Sequence, residues 1–195
     1  MISLNLAVSD AQFRLLRNAL QRLPGAAEKA LVRAVNRAVE GARTDAIRAV
    51  CKEYVIKPAD VRKTIHIVRA KPDNPEAQVI STGRPIPLIK FRILPKNPPA
   101  RGTSVKNRKT VIAGVKFNTA TAAPHSFIAR MKNGHVGVYS RPPGVGRNPI
   151  EQRYGPSVPQ MIGSQTVLEY IETQAHERLD KELGHQVKYL LGGGK

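Results

Sequence analysis

Between Ala26 and Tyr54 apolar side chains recur at Leu31, Val35, Ala38, Val39, Ala42, Ala46, Ile47 and Val50, the three-and-four spacing that lines up one face of a 3.6-residue period. A stripe this long predicts one amphipathic helix of roughly 43 Å, at ~1.5 Å per residue. Its small residues, mostly alanine, let a sheet or a second helix approach closely, while Arg33, Arg37, Arg43 and Arg48 fall largely on the remaining surface. A rod of this length either crosses the whole domain or reaches into a neighbouring subunit. The rest of the chain has to supply a cover for the apolar face.

Ahead of that helix, Ile2, Leu4 and Leu6 alternate as in a short strand. Ser9 followed by Gln12 has the form of a capping box, opening a helix to about Arg22 with Phe13, Leu16 and Leu20 inward. Pro24 and Gly25 break it. After Tyr54, Pro58 suits a first helical position, so residues 58–64 read as a short helix with Val61 inward. From Ile65 the period changes to two, predicting strands at 65–70, 77–82 and 88–94. In the last, Ile89, Phe91 and Ile93 share one face, and Lys90 and Arg92 the other. A Pro-rich bend at 95–102 leads to a further strand through Val111, Ala113, Val115 and Phe117, so 84–117 is expected to form a long β-arm, able to pair with a neighbouring subunit. Asn133-Gly134 between two β-rich runs predicts a hairpin with a type I′ turn. Residues 141–163 look too rich in Pro and Gly for a regular element. Leu168, Ile171, Ala175, Leu179, Leu183, Val187 and Leu190 then mark a second long helix over 164–191, and the tail from Gly192 to Lys195 is expected to fray.

The expected fold class is therefore α+β, with long amphipathic helices packed against an antiparallel sheet, an extended basic β-arm and a long C-terminal helix. A length of 195 residues suits a single domain. Its expected parts are a helical 1–64, a β-rich 65–140, an irregular 141–163 and the final helix. Aromatics at 5%, no Trp, and 15 each of Gly and Pro indicate a modest core with many loops. The lone Cys51 cannot form an intrachain disulfide, which favours a reducing compartment. No run of ~18 apolar residues is present, so a soluble cytoplasmic product is expected.

Charge is distributed unevenly. Residues 1–76 carry 14 basic and 8 acidic side chains, residues 77–150 carry 13 basic and none acidic, and residues 151–195 carry 5 and 6. A carboxylate-free block of this size would repel itself unless it faced a polyanion or an acidic protein surface. Glu169, Glu172, Glu177, Asp180 and Glu182 gather on the final helix, a natural partner for a basic surface of the same or a neighbouring copy. Arg84, Lys90, Arg92, Lys96, Arg101, Lys106, Arg108 and Lys109 could touch phosphates without reading sequence. Aromatic interleaving is poor, and no recognition helix or zinc finger announces base readout.

Enzymatic signatures are missing. No glycine-rich loop precedes Lys-Ser or Lys-Thr, and Gly144-Val145-Gly146 lacks the setting of a dinucleotide site. His125 and His135 flank the hairpin with no Cys or carboxylate between 77 and 150, so no metal is expected; His176 and His185 read as solvated and Cys51 as a small filler. No catalytic residue and no cofactor is expected.

The segments ALVRAVNRAVEGARTDAIRAV and IKPADVRKTI, then GRPIPLIKF, FIARMKNGHVGVY and RNPIEQRYGPSVPQM before a final helix together resemble the phage minor tail protein Z family, the tail completion proteins of long-tailed phages and prophages. The resemblance covers nearly the whole chain. It implies a structural virion protein, made in the host bacterial cytoplasm, that finishes the head-proximal end of the tail so that filled heads can join. It also implies a ring around the DNA channel, commonly of six subunits, beside the tail terminator and the head-completion or stopper proteins of the neck. No catalytic residue comes with the family, and with no spanning apolar run no membrane partner is expected. A ring needs two different patches on its two sides, which suits a chain with a basic arm and an acidic helix.

On this view Arg84, Pro85 and Ile86, with Arg153, Tyr154, Gly155, Pro156 and Pro159, are expected to form a rigid inter-subunit or inter-ring contact, the alternative being that they brace the hairpin. Lys90, Arg92, Lys96, Arg101, Lys106, Arg108 and Lys109 are expected to face an acidic partner or passing double-stranded DNA. The rival class is a sequence-independent nucleic-acid-binding protein of packaging or condensation.

Overall fold

A computed structural model of the chain describes residues 1–20, 25–100, 109–141, 144 and 149–192. The chain opens with strand β1 (Ile2–Leu6) and helix α1 (Asp10–Ala19), followed by the long helix α2 (Ala26–Glu53) and the short α3 (Pro58–Arg62). Every residue of the apolar stripe on α2 is buried, Val35, Ala38, Val39 and Val50 completely. Ser9 and Gln12 form the expected capping box: the Ser9 side chain accepts from the Gln12 N–H and the Gln12 side chain accepts from the Ser9 N–H. That exchange satisfies donors that the first turn of a helix otherwise leaves unpaired.

The chain divides into two compact units. The first comprises Met1–Val50, Pro58–Gly83 and Pro159–Lys195, the second Cys51–Lys57 and Arg84–Val158.

In the first unit, strands β2 (Ile65–Val68) and β3 (Ala77–Ser81) join β1 in an antiparallel sheet of order β1-β3-β2. The register puts Ile65, Leu4 and Ile67 opposite Ser81 or Val79 of the central strand. Asn36 of α2 accepts from the Ala70 N–H and donates to the Ala70 carbonyl, and Arg69 reaches Glu40 at 2.5 Å, so the end of β2 is hooked onto α2. The last helix, Gln165–Leu191, numbered α5 after the short α4 (Val158–Ile162), buries Val167, Ile171, Ala175, Leu179 and Leu183. Arg37 meets Glu182 at 3.5 Å and Asp45 meets Arg178 at 2.7 Å, which sets α5 antiparallel to α2. Gly41 lets that seam close: a Cβ there would stand 2.1 Å from the Arg178 Cδ.

The second unit is β-rich. Strands β4 (Ile86–Pro87), β5 (Arg92–Leu94), β6 (Val111–Lys116) and β7 (Thr119–Ala123) precede the hairpin β8 (Ser126–Arg130) and β9 (Val136–Ser140), and two short strands follow, β10 (Glu151–Gln152) and β11 (Tyr154–Gly155). They form antiparallel sheets of order β5-β6-β7 and β10-β9-β8, with β4 paired to β11. The α+β class is as expected, with antiparallel sheets and a long final helix. Within 84–117, β5 and β6 pair with each other, and β6 also with β7, whose five residues include no charge and form one margin of that sheet.

Three local expectations are corrected. Residues 88–94 are not one strand: a 3-10 turn at Leu88–Lys90 follows Pro87, so Leu88 and Phe91, three apart, turn inward instead of Ile89. The hairpin turn is not type I′, which needs two positive φ angles; of the turn residues only Gly134 has one, at 82°. Gly134 N–H donates to Met131 O and Met131 N–H to His135 O, the pattern of a type I turn closed by a left-handed glycine. Finally, 141–163 contains β10, β11 and α4 among its described residues. Strands of two residues have no periodicity to detect, and Pro159 is tolerated because the first helical turn needs no N–H from it.

Candidate functional site

Two groups of expected contact residues come together in the second unit. The β4–β11 ladder sets Ile86 opposite Gly155 and Pro87 opposite Tyr154, and the Leu88 N–H donates to the Arg153 carbonyl at 3.0 Å. On the other side, β10 pairs with β9, Glu151 opposite Ser140 and Gln152 opposite Tyr139, and the Arg153 N–H donates to Val138 O at 2.8 Å. Residues 151–155 are thus stitched between the hairpin and β4. Gly155 is required by the close approach of a buried ring: a Cβ there would stand 2.6 Å from the Phe91 Cε2.

This ribbon presents Arg84, Pro85, Arg153 and Tyr154 to solvent, with Ile86, Gly155 and Pro156 half-buried beneath. Tyr154 is 53% exposed, its hydroxyl donating to Gln152 Oε1 at 3.3 Å. Tyrosine and arginine on a rigid backbone are the residue types that dominate binding hot spots. Pro159 falls elsewhere: it lies in the first unit, buried in α4, with its Cδ 3.3 Å from where a Cβ on Gly83 would sit.

Among the expected basic contacts, Lys90, Lys96 and Lys109 are exposed, and Arg101, Lys106 and Arg108 lie outside the described residues. Arg92 is partly committed to its own sheet, lying across Gly114 and donating to the Phe117 carbonyl at 3.3 Å. Lys116 binds Glu53 and sits 5.2 Å over the Tyr54 ring; the Glu53 hydrogen bond raises its pKa above the ordinary lysine value. Sequence reasoning missed this pair and the Asp45–Arg178 pair, because both join residues far apart in the chain. The charge of the final helix is likewise partly used at home: Asp180 accepts from Gln12 at 2.5 Å and Glu182 pairs with Arg37.

No group of three His, Cys, Asp or Glu side chains among the described residues could hold a metal ion, and no described helix is long and apolar enough to cross a membrane. His135 instead meets Gln152 at 3.3 Å, tying the hairpin loop to β10. Gly144 has a φ of 76°, and its neighbours Val145 and Gly146 lie outside the described residues. Burial pushes the Cys51 thiol up from its ordinary pKa, so less thiolate is present at neutral pH. Alkylation of Cys51 by iodoacetamide at pH 7.5 is expected to be several-fold slower than that of a cysteine in a short peptide, with its pH profile displaced upward.

A family model described as prophage minor tail protein Z matches residues 16–192. The chain belongs to that family. It is also similar to tail completion protein Z of Escherichia phage lambda, at 27% identity over 173 residues that cover 87% of this chain and 86% of the relative. No solved structure matches. The family match runs from within α1 to the end of α5, so both compact units belong to it, and the chain is a structural protein of the phage tail.

Proposed function

We propose that this minor tail protein completes the head-proximal end of the tail, as a ring of about six copies around the DNA channel, and so makes the tail competent to join a filled head. The observation that carries this reading is the β4–β11 ribbon, which holds Tyr154 and Arg153 on a hydrogen-bonded frame, with Arg84 exposed just ahead of it. Because the backbone beneath them is already paired, these side chains bind without the further cost of ordering a loop. The name of the lambda relative, tail completion protein, points the same way. The tail terminator and the head-completion or stopper proteins are the neighbours proposed on its two sides, with some lysines facing the DNA.

Electron microscopy of particles made without the protein tests the role. Filled heads and separate tails are the expected result, and normal joining would reject it.

The exposed Lys90, Lys96 and Lys109 favour a second reading, a sequence-independent nucleic-acid binder. Duplex affinity that falls with salt at a log–log slope of about 0.9 per neutralised phosphate would support that reading. Weak DNA binding with concentration-dependent assembly supports the ring.

A further inference from the structure

In the first unit a groove of about 260 Å³ lies where β1 leaves the sheet, between the first turns of α1 and α2 and the loop before β3. Its apolar lining includes the buried Leu31, the half-buried Phe13 and the exposed Pro75, and beside them stand three carboxylates, Asp10, Glu28 and Glu76, and no Lys or Arg. Lys and Arg outnumber Asp and Glu by 32 to 14 in this chain, yet none of these three is in an ion pair or a side-chain hydrogen bond among the described residues. Asp10 and Glu28 stand in first helical turns, where the helix dipole favours an acid. The dipole accounts for neither Glu76, which comes from a loop, nor the apolar lining beside the three.

The second unit carries the converse surface. Leu94 and Ile112 face each other in register across β5 and β6, yet are 52% and 38% exposed. Lys96, two residues past the end of β5, and Lys109, two before the start of β6, are both exposed, and no carboxylate occurs between residues 77 and 150.

We propose that the acid-rimmed groove of one copy receives the aliphatic and lysine-flanked β5–β6 face of the next copy. Apolar lining meets Leu94 and Ile112, and carboxylates meet lysines, so both the burial and the charges are complementary. The two patches differ, which makes the contact heterologous, the kind that closes into a ring when the rotation between copies allows. The contact rests on the ring reading above and deepens it by naming the two surfaces that meet.

Two charge-reversed forms of the full chain test it by analytical ultracentrifugation. One carries Glu28→Lys with Glu76→Lys, the other Lys96→Glu with Lys109→Glu; all four positions are exposed. Each form alone sets like charges against each other and is expected to need at least about a hundredfold higher concentration to assemble. An equimolar mixture restores opposite charges at every mixed junction, so it is expected to assemble near the wild-type concentration, which a pair of merely misfolded variants would not do. Variants that assemble like the wild type, or a mixture that stays dissociated, would overturn the contact while leaving the ring intact. A wild-type chain that stays monomeric at all concentrations would overturn the ring, and this contact with it.

Discussion

Replacing Gly155 with alanine is expected to destabilise the protein by about 2 kcal/mol, at the middle of the range for overpacking a well-filled site. The added Cβ would stand 2.6 Å from the Phe91 Cε2 and 3.2 Å from its Cδ2. Phe91 is 6% exposed and Gly155 is held in register by Ile86, so ring and backbone are both confined. Something must shift, and either the buried ring or the paired strand gives up contacts it now makes. Thermal unfolding should show a drop of about 4–8 °C for a chain of this length, and tail completion by the variant should fall with it. Tyr154→Ala separates fold from contact. Its ring is 53% exposed, so melting should be nearly unchanged, while on the proposed role head joining should fall. An unaltered melting temperature for Gly155→Ala would mean that Phe91 has room the geometry does not show.

A comparable loss is expected from Asp45→Ala, on the seam between α2 and α5. Asp45 is 4% exposed and accepts from Arg178 Nη2 at 2.7 Å, with Arg48 at 4.0 Å. Removing the carboxylate strands a cation whose Nε is already buried without a hydrogen bond. Breaking a fully buried pair costs ~3–5 kcal/mol. The Arg178 side chain is 40% exposed and can turn toward water, which brings the expectation down to about 2 kcal/mol. Urea denaturation should show an earlier midpoint with an unchanged slope. Asp45→Asn keeps the shape and one acceptor and should lose less. If Asp45→Ala melted with the wild type, the seam would rest on its apolar contacts alone.

The parts of the fold that were legible in the sequence are those repeated over many turns. Eight stripe positions on α2 and seven on α5 make a helical period hard to mistake, and the Ser9 to Gln12 exchange follows from local reach alone. Features decided by partners distant in the chain were not legible. Glu151–Gln152 and Tyr154–Gly155 become strands only because β9 and β4 accept them, and nothing in four residues announces that. Alternation at Ile89, Phe91 and Ile93 reads as a strand from Leu88 onward, whereas Pro87 and the burial of Phe91 favour one helical turn instead. In the hairpin Asn133-Gly134 located the turn correctly, but the register of β8 and β9 selected its type. The same division runs through the candidate site. The resemblance brings in Arg84 to Ile86 and Arg153 to Pro156 as two separate segments, while their pairing is a product of tertiary structure. Pro159 belongs to the same family-like segment, yet the chain has crossed into the first unit by then.

The margin formed by Thr119–Ala123 has a practical outcome. Its outer amides and carbonyls carry no lysine, proline or bulge of their own to discourage a stranger, the usual safeguards of a sheet rim. Copies of the isolated chain therefore offer an open border to one another, and purified stocks are best kept dilute and cold.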